Sequence, residues 1–296
     1  MTGPAPTTHR LARAHRACSS VCTVVAGWWQ NNEAYTITFG DRAENEKGMQ
    51  MIGTPASHGL SVDSLRSIAR VLPGSTVLDL TSLLDGCNFS HPPEAAVLVV
   101  RGGVNTLLGL QAYRAILAEL RKMPKDTETL RDGVVVPKRA RHNNCIADYQ
   151  QEPDIARGKG TVVRFSDYPH TDALRSALTQ HMGSPLVGEV NHYYNANTCG
   201  IGWHADAERK IVAGARFGPG ANGMPFKMQW FSKGAPVGKE LRIELNAGDI
   251  YILSDKAVGY DTWSTLTLRH AAGKDSCKYS ASHPSRSSSS MPARRR

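Results

Sequence analysis

The chain has 296 residues and carries a formal net charge of +9 at neutral pH. It contains no run of 18 or more apolar residues, which excludes a conventional membrane-spanning helix. Seven of the positive charges belong to the acid-free ends, residues 1–32 and 281–296, whereas residues 33–280 hold 28 basic and 26 acidic side chains. The net charge therefore says little about the fold, and it indicates terminal segments that could contact phosphates without sequence preference.

Both ends of the sequence are predicted to lie outside the folded part. Residues 1–32 are rich in Ala, Ser, Thr and Arg, a composition typical of a transit peptide or of a disordered leader. Residues 281–296 form a low-complexity segment of Ser, Arg and Pro, which predicts a disordered basic tail. The six cysteines show no Cys-x-x-Cys spacing. This favours reduced thiols in an intracellular protein of the nucleus or cytoplasm, or of an organelle if the leader is a transit peptide.

Residues 33–130 show mixed α/β patterns and no recognisable catalytic motif. Apolar and β-branched runs predict strands, and helical spacing between capping and proline signals predicts helices. The predicted strands cover residues 35–39, 76–80 and 95–100, and the predicted helices cover residues 61–72 and 107–123. The polar run 40–45 is interpreted as a surface turn, with a binding turn as the alternative. We expect residues 33–130 to form a small α/β accessory domain.

A basic patch follows, because residues 121–142 hold seven basic and three acidic side chains. Its densest part contains Lys138, Arg139 and Arg141. Such a run is typical of a solvated loop or of a nuclear-localisation signal.

The most informative motif lies between residues 191 and 206. A glycine-bearing turn leads into a His-x-Asp pair, His204 and Asp206, and a further histidine, His270, follows on a predicted strand. Two imidazoles and one carboxylate on one face of a metal ion, with the other positions open, form the ligand set of non-heme Fe(II) oxygenases. These residue types therefore indicate a metal site.

A second His-x-Asp pair, His170 and Asp172, has a different interpretation. It follows Pro169 and precedes a run with helical apolar spacing. Thr171 or Asp172 is therefore predicted to be the N-cap of a helix, and the pair is not expected to bind a metal.

Short strand-like runs follow the His204 motif, and Gly, Pro or Asn residues separate them. They cover residues 210–217, 225–231, 240–245, 248–253 and 264–270. Many short strands with such punctuation predict a jelly roll or a barrel.

Residues 191–280 resemble the catalytic core of the AlkB-like branch of the 2-oxoglutarate- and Fe(II)-dependent dioxygenases. The resemblance rests on Asn191-x-Tyr193, on His204-x-Asp206, on the strands of residues 211–218 and 226–231, and on Gly248-Asp249. It covers about a third of the chain closely and extends loosely back to residue 135. It implies an α+β protein in which a double-stranded β-helix (jelly-roll) dioxygenase core over residues 131–280 is preceded by the smaller α/β region.

The resemblance also implies the cofactors and their ligands. Fe(II) would be held by His204, Asp206 and His270, and the enzyme would use O2 and 2-oxoglutarate to oxidise a C–H bond. The residues implied to hold 2-oxoglutarate are Asn191, Tyr193, Lys278 and Ser280.

The C-terminal end departs from the family pattern, because no histidine stands directly after the Gly-Asp strand. Two ways of aligning this end of the chain with the family pattern stay open. In the first, His270 is the distal metal ligand and Lys278 anchors the far carboxylate of 2-oxoglutarate. In the second, Arg269 is the anchoring cation, and the distal histidine is either missing or replaced by Asp261. The first is preferred, because the one later histidine, His283, belongs to the low-complexity tail.

The resemblance further implies a nucleic-acid partner, namely an alkylated or methylated base that is demethylated or hydroxylated. Lys138, Arg139 and Arg141 would then belong to the lid over the nucleotide, and Trp203 would shield the metal or stack on a substrate ring. Two other classes stay open, since fold does not determine substrate. One is a hydroxylase of protein side chains, which Lys278 and the nearly neutral residues 33–280 favour. The other is a metal-free binding module. No membrane partner is expected, and the sequence indicates no oligomeric state.

Overall fold

The computed structural model describes residues 32–274, together with residues 1 and 3. Within residues 32–274 the chain forms sixteen strands and five α-helices. The strands are β1 (Ala34–Gly40), β2 (Arg42–Glu44), β3 (Met51–Gly53), β4 (Ser75–Asp79), β5 (Ala96–Val100), β6 (Glu128–Arg131), β7 (Val134–Pro137), β8 (His142–Ala147), β9 (Val162–Arg164), β10 (Val187–Tyr193), β11 (Ile201–His204), β12 (Ala213–Phe217), β13 (Met224–Ser232), β14 (Ala235–Leu245), β15 (Ile250–Leu253) and β16 (Leu266–Ala272). The helices are α1 (Val62–Val71), α2 (Gly103–Leu108), α3 (Ala112–Lys122), α4 (Pro169–Met182) and α5 (Asp255–Val258).

The larger of the two main sheets has eight strands in the order β4-β5-β15-β12-β1-β10-β8-β9. Its neighbours are antiparallel except for β8 and β9. Thr36 of β1 pairs with Asn191 of β10 on one side and with Arg216 of β12 on the other. The first strand of residues 32–274 is therefore hydrogen-bonded between two strands that lie much later in the sequence.

The smaller main sheet has four antiparallel strands in the order β11-β16-β13-β14. Two further antiparallel pairs, β2 with β3 and β6 with β7, lie outside both main sheets. The described chain is thus a mixed α+β protein in which antiparallel sheets predominate, as the sequence predicted.

Two hydrophobic cores lie on opposite faces of the larger sheet. On one face Phe39 of β1 is completely buried together with Ile116 of α3 and Leu174 of α4. On the other face Tyr251 of β15 shares a core with Phe226 of β13, which belongs to the smaller sheet. Because successive side chains of a strand point to opposite faces, strands of the larger sheet contribute to both cores.

Most predicted elements are confirmed by the structure. The predicted strands at residues 35–39, 76–80 and 95–100 correspond to β1, β4 and β5, and the five later strand predictions correspond to β12–β16. The helix predicted at residues 61–72 is α1, and the Ser61 hydroxyl caps it by accepting a hydrogen bond from the Ser64 amide at 3.0 Å.

The single helix predicted over residues 107–123 is wrong, because the structure divides it. α2 ends at Leu108, Gly109 follows with a φ of 91°, and α3 begins at Ala112. Residues with a side chain rarely adopt this backbone conformation, so the glycine ends α2 and allows the chain to change direction.

The predicted N-cap at Thr171 or Asp172 is also wrong. α4 begins at Pro169, so both residues lie within its first turn. The carboxylate of Glu119 on α3 accepts hydrogen bonds from the amides of His170 and Thr171, at 2.9 and 2.8 Å. A neighbouring helix therefore supplies the group that local sequence was expected to provide.

Residues 33–130 do not form a separate accessory domain in the structure. Strands β1, β4 and β5 from this range lie in the larger sheet, where β5 pairs with β15. Contacts within residues 32–274 accordingly make one compact unit. Buried strands need hydrogen-bonded neighbours, and several neighbours of these strands come from residues 187–253. No helix in the described residues is long and apolar enough to span a membrane.

Candidate metal site

Two antiparallel strands of the smaller sheet place the candidate metal ligands side by side. His204 at the end of β11 stands opposite His270 of β16, and their ring centroids are 4.3 Å apart. The register between Ile201 and His204 is irregular, so the regular pairing is interrupted just before His204. Asp206 follows, and its amide donates to the carbonyl of Val258 at 3.1 Å. Strand pairing thus brings the distal histidine to the His-x-Asp pair.

The ligand atoms of these three residues enclose a space that suits a metal ion. Nε2 of His204 and Nε2 of His270 each lie 3.6 Å from Oδ1 of Asp206. The ligand atoms all lie within 4.8 Å of one another. Nitrogen and oxygen ligands bind such metals at about 2.0–2.2 Å, so small side-chain rotations would allow all three to share one ion. Among residues 32–274, no other group of three or more His, Cys, Asp or Glu side chains has this geometry.

The protonation state of His204 suits a metal ligand at neutral pH. Its Nδ1 lies 2.8 Å from the carbonyl oxygen of Gly202. A carbonyl only accepts hydrogen bonds, so Nδ1 carries the proton and Nε2 keeps its lone pair. Burial, and to a smaller extent the neighbouring His270, lower the pKa of His204 to about 3. The imidazole is therefore neutral at pH 7, which is the form that binds a cation.

A buried arginine holds Asp206 as a carboxylate. Burial by itself raises the pKa of Asp206, but the positive charge of Arg209 and the interaction with His270 outweigh burial and lower it. Arg209 Nε lies 3.6 Å from Oδ2 of Asp206, while Oδ1 faces the two histidines. Arg209 also binds Glu208 at 2.6 Å and Glu189 at 3.1 Å. The Asp206 carboxylate is therefore oriented by a network of charges behind it.

Glu189 connects this network to the segment just before β8. Its Oε1 accepts a hydrogen bond from Asn143 at 3.1 Å and lies 3.8 Å from Nη2 of Arg141. Arg141 Nε also donates to the side-chain oxygen of Asn191. The side chain of Arg141 is only 11% exposed, so it is directed into the protein near the candidate ligands.

The remaining residues of the basic patch differ from Arg141. Lys138 is buried, and its ammonium group donates to the side-chain oxygens of Asn45, at 2.6 Å, and of Asn143. This position supports the fold and does not face a ligand. Arg139 is exposed, and its carbonyl accepts a hydrogen bond from the hydroxyl of Tyr194 at 2.6 Å. The patch is therefore not one continuous surface.

The other predicted site residues are distributed between the interior and the surface. Tyr193 is buried in the core between the two main sheets, whereas the Asn191 oxygen is already engaged by Arg141. Trp203 packs beside Phe231, with ring centroids 5.8 Å apart. Lys278 and Ser280 lie outside the described residues.

The structure also separates the two registers that the sequence left open. His270 is directed towards Asp206, whereas the guanidinium of the adjacent Arg269 lies 4.4 Å from the ring centre of Phe231. Neighbours in a strand point to opposite faces, so Arg269 is turned away from the ligand group. Asp261 forms an ion pair with Lys256. His270 therefore joins the candidate site, and the arrangement with Arg269 and Asp261 is not the one adopted.

Sequence reasoning missed Arg216 of β12 and Tyr251 of β15. Arg216 is 0% exposed and Tyr251 is 6% exposed. The sequence did indicate that Arg216 is unusual, because it is the single charged residue in the otherwise apolar run 211–217. Nothing local indicated that both side chains would lie close to Tyr193.

Comparison with known proteins places the chain in a family. No protein-family model matches it. The chain is 38% identical over 251 residues to an uncharacterized protein of Acanthamoeba polyphaga mimivirus. The alignment covers 82% of this chain and 96% of the viral protein. The chain therefore belongs to the same protein family as this mimivirus protein.

Proposed function

We propose that the protein is an Fe(II)- and 2-oxoglutarate-dependent dioxygenase that oxidises a C–H bond. The observation that carries the proposal is the meeting of His204, Asp206 and His270, with their ligand atoms within 4.8 Å of one another. Two imidazoles and one carboxylate suit Fe(II) and leave coordination positions open for co-substrate and O2. The motifs around these residues are those that resemble the AlkB-like dioxygenases.

The order of the strands supports a double-stranded β-helix around this site. From β10 to β16 the chain passes repeatedly between the two sheets, with β10, β12 and β15 in the larger sheet and β11, β13, β14 and β16 in the smaller one. A jelly roll is built from two packed antiparallel sheets that the chain visits in this manner. In this arrangement β1 completes the larger sheet by filling the place between β10 and β12.

The iron, when bound, would supply the chemistry by which O2 converts 2-oxoglutarate to succinate and CO2 while a C–H bond is oxidised. The chain itself holds the cation and excludes water. Phe226 stacks on Tyr251 with a centroid distance of 4.3 Å and lies 5.7 Å from the ring of His270, so aromatic rings cover one side. The His204 side chain is 31% exposed, so the ligand group has an open side through which substrate can approach.

We favour an unpaired, alkylated or methylated nucleic-acid base as the substrate. The loop after Val258, whose carbonyl binds the Asp206 amide, presents Tyr260 and Trp263 with ring centroids 5.5 Å apart. Trp263 is 74% exposed, and Nζ of Lys210 lies 5.3 Å from the ring centre of Tyr260. Aromatic faces beside a cation stack on bases and attract phosphates. This loop favours a nucleic acid over a protein side chain.

Turnover of 2-oxoglutarate tests the proposal. Succinate would be measured with Fe(II) and O2 in the presence of methylated oligonucleotides or of peptides. We expect oligonucleotide-dependent succinate formation, and its loss in the His204→Ala variant because one of three ligands is removed. His170→Ala is the matched control, since His170 belongs to the other His-x-Asp pair and is exposed on α4.

Each alternative outcome has a distinct meaning. Unchanged succinate formation in folded His204→Ala protein would remove this residue from the site. Stimulation by peptides alone would assign a protein hydroxylase. A wild-type protein that binds no Fe(II) and forms no succinate would instead support a metal-free binding module.

A further inference from the structure

Arg216 is a buried cation whose charge no acidic side chain in the described residues neutralises. Its Nη1 lies 2.9 Å from the sulfur of Met224, whereas Nε and Nη2 have no hydrogen-bond partner within residues 32–274. Asp249 is close along the sheet, but its carboxylate binds Arg101 at 2.6 Å. A guanidinium stays charged in proteins, and burying a charge without a partner is strongly unfavourable. The arrangement calls for an anion that these residues do not supply.

Side chains with hydroxyl groups from three strands lie on the same side of the larger sheet as Arg216. Thr36 of β1 is its direct partner in the register of the larger sheet. Burial raises the pKa of the Tyr193 and Tyr251 hydroxyls, and the positive charge of Arg216 opposes both shifts. Arg216 therefore lies within electrostatic reach of both rings. Both hydroxyls are protonated at neutral pH and can donate hydrogen bonds to an anion.

Aromatic rings connect this place to the candidate metal ligands. The ring of Tyr251 occupies the space above Gly214, where a Cβ atom would collide with it. The other side of Tyr251 stacks on Phe226 at 4.3 Å, and Phe226 lies 5.7 Å from the ring of His270. The negative charge of Asp206 also acts on Tyr251. Arg216 and the candidate ligand group are therefore linked by packed aromatic rings on the inner side of the larger sheet, and a molecule that binds both must lie beside these rings.

We propose that Arg216, together with the Tyr193 and Tyr251 hydroxyls, binds the far carboxylate of the 2-oxoglutarate co-substrate. This inference rests on the proposed function and deepens it. A planar guanidinium pairs with both oxygens of a carboxylate, so Arg216 selects 2-oxo acids that carry a second carboxylate. Arg216 thereby takes the role that the sequence assigned to Lys278.

Equilibrium binding measurements distinguish Arg216 from Lys278 as the residue that binds the far carboxylate. Full-length protein loaded with Mn(II) would be titrated without O2, using 2-oxoglutarate and then pyruvate, which has no second carboxylate. Arg216→Met should weaken 2-oxoglutarate binding by roughly 10–100-fold, the loss of a charge-assisted contact, and leave pyruvate binding within about 2-fold. Arg216→Lys should lose less, because it keeps the charge without the planar fork. Lys278→Met should bind 2-oxoglutarate as the wild type does.

Arg66→Met is the matched control, because this arginine of α1 is exposed and pairs with Asp63 on the surface. Unchanged 2-oxoglutarate affinity in Arg216→Met protein that still binds Mn(II) would overturn the inference. A loss confined to Lys278→Met would also overturn it. If Arg216→Met does not fold, an unchanged affinity in Arg216→Lys has the same meaning.

The inference and the proposed function can fail separately. Normal binding of Mn(II) and 2-oxoglutarate that does not depend on Arg216 refutes only the assignment of the anchor. If the wild type binds no Mn(II), the proposed metal site fails, and glutarate becomes the probe for Arg216. Glutarate binding that Arg216→Met abolishes would still support an anion site, and the absence of binding would overturn it.

Discussion

The two faces of the eight-stranded sheet bury different kinds of side chain. Towards the helices β1 contributes Ile37 and Phe39, both 0% exposed within an apolar core. Towards the smaller sheet the same strand contributes Thr36 and Thr38. Their partners on the neighbouring strands include Asn191, Glu189 and Arg216. One strand thus serves both the core and the candidate site, because its side chains alternate.

This difference indicates where the stability of the fold arises. Complete burial of a large apolar side chain contributes about 1.5–3 kcal/mol, whereas burial of a charge is unfavourable unless the charge is well paired. Glu189, Arg209 and Arg216 are all buried on the inner side. The helix-covered face therefore stabilises the fold through apolar burial without this cost, whereas the inner face combines an apolar core with charged groups that can bind ligands.

The largest effect on stability is expected from Phe39→Ala. Removing this ring from the helix-covered core should lower the free energy of unfolding by about 3–5 kcal/mol, as measured by urea denaturation. Thr38, the adjacent residue that faces the smaller sheet, provides the comparison. Thr38→Ala should lower the free energy of unfolding by less than about 1.5 kcal/mol. Mn(II) affinity of the folded Phe39→Ala protein should equal that of the wild type. A greater loss from Thr38→Ala would contradict the assignment of stability to the helix-covered face.

Arg209→Met should act mainly on the candidate metal site. Because Arg209 orients Asp206, its removal should weaken Mn(II) binding by roughly 10–100-fold, as measured by calorimetry. The variant also leaves Glu189 without its closest cation and should be destabilised. Adding Glu189→Gln should recover stability without recovering metal affinity. Recovery of both together would mean that Arg209 has only a structural role.

The smallest effect concerns acid sensitivity. Burial, with the charge of Lys125, lowers the pKa of His192 to about 4 in the folded protein, below its ordinary value of 6.5. The unfolded chain therefore binds a proton first, so this residue destabilises the fold as the pH falls from 6.5 towards 4. At pH 5 this residue lowers the free energy of unfolding by up to about 2 kcal/mol. His192→Phe keeps a ring to stack on Tyr35 and should flatten the pH dependence of urea midpoints between pH 7 and 5. An unaltered slope would show that other groups cause it.

Sequence reasoning succeeded where a structural feature depends on nearby residues. The α1 helix starts at Ser61, whose hydroxyl makes the expected capping contact. Reasoning failed where a distant group replaces a local one, as when Glu119 accepts the first amides of α4. It also failed for Lys138, because a basic run predicts solvent exposure, whereas the fold places Asn45 and Asn143 around this ammonium group.

The sequence by itself determined the His204-x-Asp206 pair, the alternating strands and the glycine-bearing turns, because these depend on residue type and local spacing. Only the tertiary structure decided that His270 faces this pair, that β1 lies between β10 and β12, and that Arg216 is buried beside Tyr193 and Tyr251. Strand pairing joins residues that are far apart in the chain, and a strand's own sequence does not specify its neighbours. Those neighbours determine the environment of a buried charge, so this environment is known only from the folded structure.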